Sequence, residues 1–513
     1  MNYNDYALTV LIFAPLAAAV VALFLRNETW VKWWTLLFTT AAALFSLPLY
    51  SHFDPNTAAF QFTQTHAWIP PLKIFYSVGL DGISLLLVLL TTVVMPLCVL
   101  ASWRYIQTRV KEFMICLLIM ETAMVGVFCA LDLILFFVFW EAMLIPMALL
   151  IGIWGGPRRV YASLKFFVYT MSGSVFLLVA IIALYLKVGS FSIPEMMGRS
   201  FPANFQFWIF LAFFISFAIK VPMFPFHTWL PAAHVEAPTA GSVLLAGVLL
   251  KMGTYGFMRL CLPLAPDASI TLGMPVIGAL SVIGIIYGAM CAKGQDDIKK
   301  LVAYSSVSHL GFCTLGMFAL NSAGLTGSLM QMINHGLSTG ALFLIVGMLY
   351  ERYHTRLIAE YGGLGAKLKS ITFCMVFISL SSVGLPGLNG FVGEALVFFG
   401  MFQTRKILAV LGTAGIILGA WYLITMLRQV FFGELKEPHH DGPDVQDITP
   451  REIATLAPIM ALCLLLGVYP QPILDSVKPD IDVVANILKD RKTIMAASEP
   501  GTKETAPRAQ INE

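Results

Sequence analysis

Apolar stretches of about twenty residues, separated by short polar joints, recur along almost the whole chain. A helix rises about 1.5 Å per residue, so each stretch can cross a hydrocarbon layer of about 30 Å. The pattern predicts an all-α polytopic membrane protein with about fourteen spans. They fall roughly at 6–25, 31–50, 81–103, 112–131, 132–153, 164–187, 206–228, 241–262, 270–292, 299–320, 327–350, 370–400, 407–432 and 453–470. Two joints are longer: 51–80, polar and proline-containing, and the hydrophilic loop 433–452. After about 471 a short amphipathic piece is expected. From Ala496 onward Ser, Glu, Pro, Thr and Lys predominate, the composition of a disordered tail. No stretch is left for a soluble catalytic domain. The first residues carry Asp5 and no basic residue, and no small-residue cleavage site follows, so the first run is expected to be a retained span.

Composition agrees with this pattern. The chain is 58% hydrophobic and 12% charged, about half the charge of a soluble domain. The net charge of +3 is spread through the joints, and no basic block has the form of a nucleic-acid footprint. The eight cysteines stand singly in apolar runs with no CxxC or CxxCH pair, so disulfides, iron–sulfur clusters and attached haem find no support. They read as small packing residues.

Lysine and arginine set the orientation. Joints after odd-numbered spans hold eighteen of them and joints after even-numbered spans hold six. Basic residues accumulate on the cytoplasmic side, so the odd-following joints are expected there and both termini on the opposite side.

Lys220 and Lys251 belong to no joint; each falls near the middle of an apolar run. A charge at that depth costs several kcal/mol unless paired or hydrated, which makes it a functional candidate. Glu141 lies about nine residues into its span, roughly 14 Å deep, and Glu394 follows the run Gly384 to Gly393. Glu121 sits mid-span in the fourth helix; for it a structural and a functional reading stand level. His309 and His335 lie in two later spans beside Ser305, Ser306, Ser308 and Asn334. Titratable groups on polar faces that hold water are what proton relay requires. One buried Glu–Lys pair could be glue between helices, and two histidines could bind haem or metal. Ionisable groups in successive spans fit glue less well, because each adds its own desolvation cost.

Two spans are interrupted alike. Pro222 and Pro225 break the seventh just after Lys220, and Gly384, Pro386 and Gly387 break the twelfth just before Glu394. Proline removes an intrahelical hydrogen bond, and the freed carbonyl must find another donor. Helices 4–8 and 9–13 form two sets of five, with the break in the fourth member of each. Five is odd, so the second set is expected upside down relative to the first, as inverted repeats. Glu141 and His309 are then positional counterparts. The expected organisation is three N-terminal spans (1–110), a first repeat (111–262), a second (263–432), and a final loop, span and tail (433–513).

Several strings carry a resemblance: Gly79-Leu80-Asp81-Gly82-Ile83-Ser84-Leu85, Phe139-Trp140-Glu141-Ala142-Met143-Leu144-Ile145-Pro146 and Ala218-Ile219-Lys220-Val221-Pro222. Others are His227-Thr228-Trp229-Leu230-Pro231, Glu236 to Ser242, Ser305 to Gly311, Asn334-His335-Gly336 and Tyr469 to Leu474. Over nearly its whole length the chain resembles the antiporter-like membrane-arm subunits of respiratory complex I, the NADH:quinone oxidoreductase. Sister subunits usually carry lysine where Glu394 stands, so the resemblance is to the subunit M branch. It implies two inverted five-helix repeats, proton translocation, sister antiporter-like subunits on either side, and a bacterial inner membrane. Quinone, FMN and iron–sulfur clusters are expected in partner subunits and none in this chain.

On this reading Glu141 and Lys220 form a proton-modulated pair, Lys251 takes the proton at the centre, His309 and His335 carry it laterally, and Glu394 passes it outward. Two other classes stay open: a Na+/H+ antiporter module of the multisubunit kind, and a membrane scaffold whose charges only lock helices together.

Overall fold

In the computed structural model, residues 3–438 and 445–498 are described. Most of the expected tail, and residues 439–444 in the second long joint, lie outside them. Among the described residues, twelve helices are long and apolar enough to cross a membrane. In chain order the helices are α1 (Ala7–Phe24), α2 (Glu28–His52), α3 (Gly82–Tyr105), α4 (Val110–Cys129), α5 (Leu133–Ala142), α6 (Leu144–Trp154), α7 (Arg159–Val188), α8 (Ala203–Lys220) and α9 (Trp229–Glu236). They continue as α10 (Thr239–Leu264), α11 (Pro266–Lys293), α12 (Ile298–Met317), α13 (Ser322–Tyr353), α14 (Lys369–Val383), α15 (Asn389–Thr404), α16 (Lys406–Phe431), α17 (Pro450–Val468) and α18 (Gln471–Ser498). α12 is absent from the twelve because its serines, histidine and threonine lower its hydropathy. The twelfth expected span is split into α14 and α15, each too short to count alone.

Starts are fixed by side chains that accept the orphan amides of a first helical turn. Asp81 caps α3, Asp132 caps α5, Asp297 caps α12 and Asn321 caps α13. Thr449 and Glu452 form a capping box on α17.

The helices differ sharply in what surrounds them. α7 and α16 turn Val168, Val175, Val179, Ile407, Val410 and Ile417 outward, the apolar exterior a hydrocarbon layer requires. In α10 and α13 the whole central window is buried. These two innermost helices are the ones that carry Lys251 and His335.

The backbone breaks fall where the prolines and glycines predict, and both close alike. After α8 the Met223 amide reaches back five residues to the Ala218 carbonyl at 2.9 Å; after α14 the Leu385 amide does the same to Leu380 at 3.1 Å. The Ile219 carbonyl near the first break accepts from the Trp229 indole at 2.8 Å. Two further irregularities lie away from those breaks, the first just before Pro146. The fifth expected span bends at Met143, between α5 and α6, two residues past Glu141. α10 contains two wide π turns, Leu245–Leu249 and Phe257–Cys261, on either side of Lys251.

The joint 51–80 is more than a loop. Gln61–Ile69 (β1) and Ile74–Leu80 (β2) pair antiparallel as a hairpin, with His66 opposite Tyr76 and Ala67 opposite Phe75. Only Phe62 and Gln64 of β1 are buried, so the apolar alternation that marks a strand is missing. The hairpin is pinned by Tyr76 Oη to Thr9 Oγ1 at 2.8 Å, and by the Leu131 amide to the Ser77 carbonyl at 2.9 Å.

α18 is also longer than the short piece expected after 471. It lies as a strap across the starts of three other helices. Asp480 accepts from the Gly82 amide at 2.7 Å, Asp482 from Ser322 Oγ at 2.7 Å, and Asp267 is gripped by Arg491 through Nε at 2.7 Å and through Nη2. Beneath the strap, Arg259 of α10 pairs with Asp81 at 2.5 Å in full burial. Burial, and next the Asp81 carboxylate, push Asp480 up to about 7. Its ordinary value in a detached strap is about 4. A raised carboxyl favours docking below its ordinary range and loses that contribution as pH rises through its docked value. Hydrogen exchange of the α18 amides is expected to quicken, beyond the intrinsic rate, as pH rises from about 4 to about 7, and Asp480→Asn is expected to flatten that rise.

Candidate functional site

The innermost helices bring most of the expected titratable groups into one line. Lys251 is completely buried; its Nζ donates to the Ala246 carbonyl, five residues back, and lies 2.6 Å from His335 Nδ1. The carbonyl belongs to the π turn at Leu245–Leu249, so the helix irregularity supplies a lysine ligand. His335 and His309 rings lie 5.7 Å apart between centroids. His309 then faces Glu394, Nδ1 to Oε1 at 3.8 Å, while its Nε2 lies 3.2 Å from Ser382 Oγ. Gln331 Nε2 reaches the same Glu394 oxygen at 3.5 Å. Lys251, His335, His309 and Glu394 thus stand in sequence across α10, α13, α12 and α15, with a gap between the two imidazoles wider than one hydrogen bond.

Glycines hold this packing close. A Cβ on Gly384 would sit against the Glu394 carboxylate, and Gly384 also adopts a left-handed φ of 82° to end α14. A Cβ on Gly253, two residues past Lys251, would lie 2.7 Å from Val221 and 3.1 Å from Lys220 Cβ. That close approach sets α8, with Lys220 at its end, directly against the lysine-bearing turn of α10.

Glu141 and Lys220 are near one another but make no direct ion pair. The Lys220 ammonium stands 5.0 Å over the Trp140 ring and 3.5 Å from Met143 Sδ. The Trp140 indole is fixed in turn by Ser174 Oγ at 3.0 Å. An aromatic face and a thioether are weak hosts for a cation, worth about 1–2 kcal/mol when desolvated. Glu141 is half-buried, and its Oε1 has no hydrogen-bond partner in the protein. Glu121 is fully buried with both oxygens unpartnered, and no hydrogen bond or ion pair among the described residues joins it to the line.

His234 was not among the expected residues. It is 0% exposed, stacks on Phe343 at 4.6 Å, and has neither nitrogen hydrogen-bonded. Electrostatically it faces both Lys299 and Lys251. Lys299 donates to the Ala237 carbonyl at 2.5 Å and borders a cavity of about 40 Å³ lined also by Glu236, Tyr105, Tyr350 and Arg356. That is room for a few waters. The signal for His234 was present in the sequence, as a histidine in the short stretch between the proline break and the next span.

A profile of the family described as NADH:quinone oxidoreductase/Mrp antiporter, transmembrane, matches residues 130–419. The chain belongs to this family. All six groups from Glu141 to Glu394 lie within the family match, and Glu121 lies outside it. Among relatives, NADH-quinone oxidoreductase subunit M of Rhodobacter capsulatus is 46% identical over 511 residues, covering 96% of this chain and 99% of that one. Among solved structures, a chain of respiratory complex I from Thermus thermophilus with bound NADH superposes with a TM-score of 0.86 at 30% identity, covering 94% of this chain and 99% of that one. A chain of the Mrp complex from Dietzia sp. DQ12-45-1b reaches 0.81 at 20% identity, covering 97% and 99%, a likeness of fold alone.

For this family member the Lys251–His335 contact fixes a tautomer. While Lys251 holds its proton the ammonium only donates, so Nδ1 accepts and the imidazole proton sits on Nε2. Solid-state nitrogen NMR of the histidine-labelled protein in lipid is expected to show His335 as the Nε2–H form, with Lys251→Met removing the preference. A predominant Nδ1–H form in the unmodified protein would contradict the contact.

Proposed function

We propose that this chain is the subunit M-type proton-translocating member of the membrane arm of an NADH:quinone oxidoreductase. The observation that carries this reading is the run Lys251–His335–His309–Glu394 at the centre of a chain 46% identical to a subunit M. Glu141 and Lys220 act as the switch at the intake half. Burial disfavours charge on either group and pairing favours it, so protonation and separation are linked. The separated arrangement, with Lys220 on Trp140 and Met143, leaves the amine free to give up its proton towards Lys251, whose helix it touches at Gly253.

From Lys251 the proton moves to His335, then across to His309 and on to Glu394, each step restoring the donor for the next. The ring-to-ring step spans more than one hydrogen bond and is suited to a bridging water, as are the unpartnered Gln331 Oε1 and Asn334 Oδ1 beside it. The cavity at Lys299 and Glu236, with His234 beyond it, supports supply from the basic, cytoplasmic side. Glu121 remains the weakest member of the set.

The like closure of the α8 and α14 breaks supports two inverted five-helix repeats, in 111–262 and 263–432. The chain performs no redox step in this scheme. Its cysteines stand singly, and among the described residues no three His, Cys, Asp or Glu side chains gather as a metal site. Quinone, FMN and iron–sulfur clusters are assigned to partner subunits, and sister antiporter-like subunits to its flanks. The setting is a bacterial inner membrane with both termini outside.

Glu394 also separates this reading from its rival, a module of a multisubunit Na+/H+ antiporter, in which lysine is expected at that position. NADH-driven proton uptake by inverted membrane vesicles is expected to fall at least tenfold in Glu141→Gln with the complex still assembled. Unchanged uptake in the assembled variant would remove Glu141 from the path. Cation-dependent exchange without NADH would favour the antiporter.

A further inference from the structure

At the basic end of the helices, two adjoining hollows share a wall of arginines. The polar one, about 450 Å³, is lined by Arg104, Arg451, Arg352, His354, Glu351 and Glu452, among others. The apolar one, about 350 Å³, lies against Trp33, Leu36, Leu100 and Trp103 and meets the first at Arg104 and Arg451. Together they make one amphipathic groove, cationic at its mouth and aromatic-aliphatic along its length.

The charges at the mouth are unequal in their commitments. Arg352 is spent: it holds Glu452 through both terminal nitrogens, at 2.7 and 2.8 Å, and donates to the carbonyls of Met348, Gln446 and Asp447. Glu351 is taken up by Arg451 at 3.1 Å. Arg451 keeps its Nε buried and without a partner, and the Arg104 side chain makes no hydrogen bond or ion pair. Lys32 already holds the last carbonyls of α3, Trp103 at 2.7 Å and Ile106 at 3.3 Å, so those acceptors do not satisfy Arg104. The groove therefore offers an uncommitted guanidinium and an orphaned buried N–H to an acceptor that the described residues do not supply. That acceptor is an anion, because Glu351 and Glu452, the two carboxylates in the described lining, are already paired.

The aromatic wall says where the anion resides. Trp33 is 56% exposed and packs edge-on against Trp103 at 4.9 Å, with Trp30 exposed beside it on α2. Tryptophans at this height mark the boundary between headgroups and acyl chains. An anion on Arg104 with an apolar tail running past Trp33, Leu36 and Leu100 satisfies both hollows at once, and a free phosphate satisfies only one. Basic pockets between helices at a membrane face favour anionic headgroups.

We infer that this groove is a specific site for an anionic glycerophospholipid, its phosphate held by Arg104 and the Nε of Arg451 and one acyl chain lying along Trp33, Leu36, Leu100 and Trp103. The site stands apart from the proton line and does not depend on the reading of that line.

The test uses the full chain, purified from its membrane in its native assembly and placed in nanodiscs of phosphatidylcholine. Phosphatidylglycerol brominated on its acyl chains is compared with equally brominated phosphatidylcholine at the same mole fraction, reading tryptophan fluorescence. General lipid contact quenches the chain's ten tryptophans equally with either headgroup. A site for the anionic lipid adds an excess with phosphatidylglycerol. Arg104→Gln is expected to weaken that excess about fivefold, as the loss of one interfacial cation does. Trp33→Phe is expected to reduce it by removing a reporter, and Arg405→Gln, a cation outside the groove, is expected to leave it intact. Equal quenching by the two lipids in the unmodified protein overturns the proposal, and so does an excess unchanged by Arg104→Gln.

Discussion

In a hydrocarbon layer water offers nothing to a polar group, so every buried charge must be satisfied by the protein or by water it encloses. The contact between Lys251 and His335 meets that demand at its most severe, between the two most enclosed helices of the chain. A charge at this depth costs about 3 kcal/mol even on lenient scales, whereas an interhelical hydrogen bond returns about 0.6 kcal/mol on average. Structural glue does not offset such a cost across Lys220, Lys251, His335 and Glu394 together. A chain that tolerates all of them needs a reason beyond helix packing, and the proposed proton path supplies one.

The backbone is irregular where it serves these side chains. The π turn before Lys251 offers the Ala246 carbonyl to the ammonium, and the bend at Met143 sets a thioether against Lys220. The first break leaves the Ile219 carbonyl to the Trp229 indole, and just past the second the Asn334 side-chain amide donates to the Asn389 carbonyl at 2.6 Å. Straight helices would offer side chains alone. Interrupted ones add backbone dipoles at mid-depth, where few other polar atoms exist.

Much of this was legible in the sequence, for a physical reason. Lysine or glutamate inside an apolar run is conspicuous, so Lys220, Lys251, Glu141 and Glu394 announced themselves, as did the breaks at Pro222 and Gly384. What stayed hidden lacked such contrast. The first π turn of α10 arises from ordinary Leu, Ala, Gly and Val, and the second from Phe, Met, Arg, Leu and Cys, neither a helix breaker in itself. β1 has no apolar alternation because its outer face is solvated, so 51–80 read as a loop. His234 fell in the stretch taken as a joint between the seventh and eighth spans, because the proline break masked the short helix α9. Glu141 and Lys220 were expected to touch; no sequence pattern distinguishes a closed pair from one held apart by Trp140 and Met143.

The strap α18 has a mechanical consequence. It is bolted at Asp480 to the start of α3, at Asp482 to the start of α13 and at Arg491 to the start of α11. One rigid bar therefore joins the N-terminal spans and the second set of five helices at the same surface. Pieces clamped to a common beam do not hinge apart there, so this face behaves as a stator. Relative movement of these helices is left to their opposite ends and to the few residues at each break.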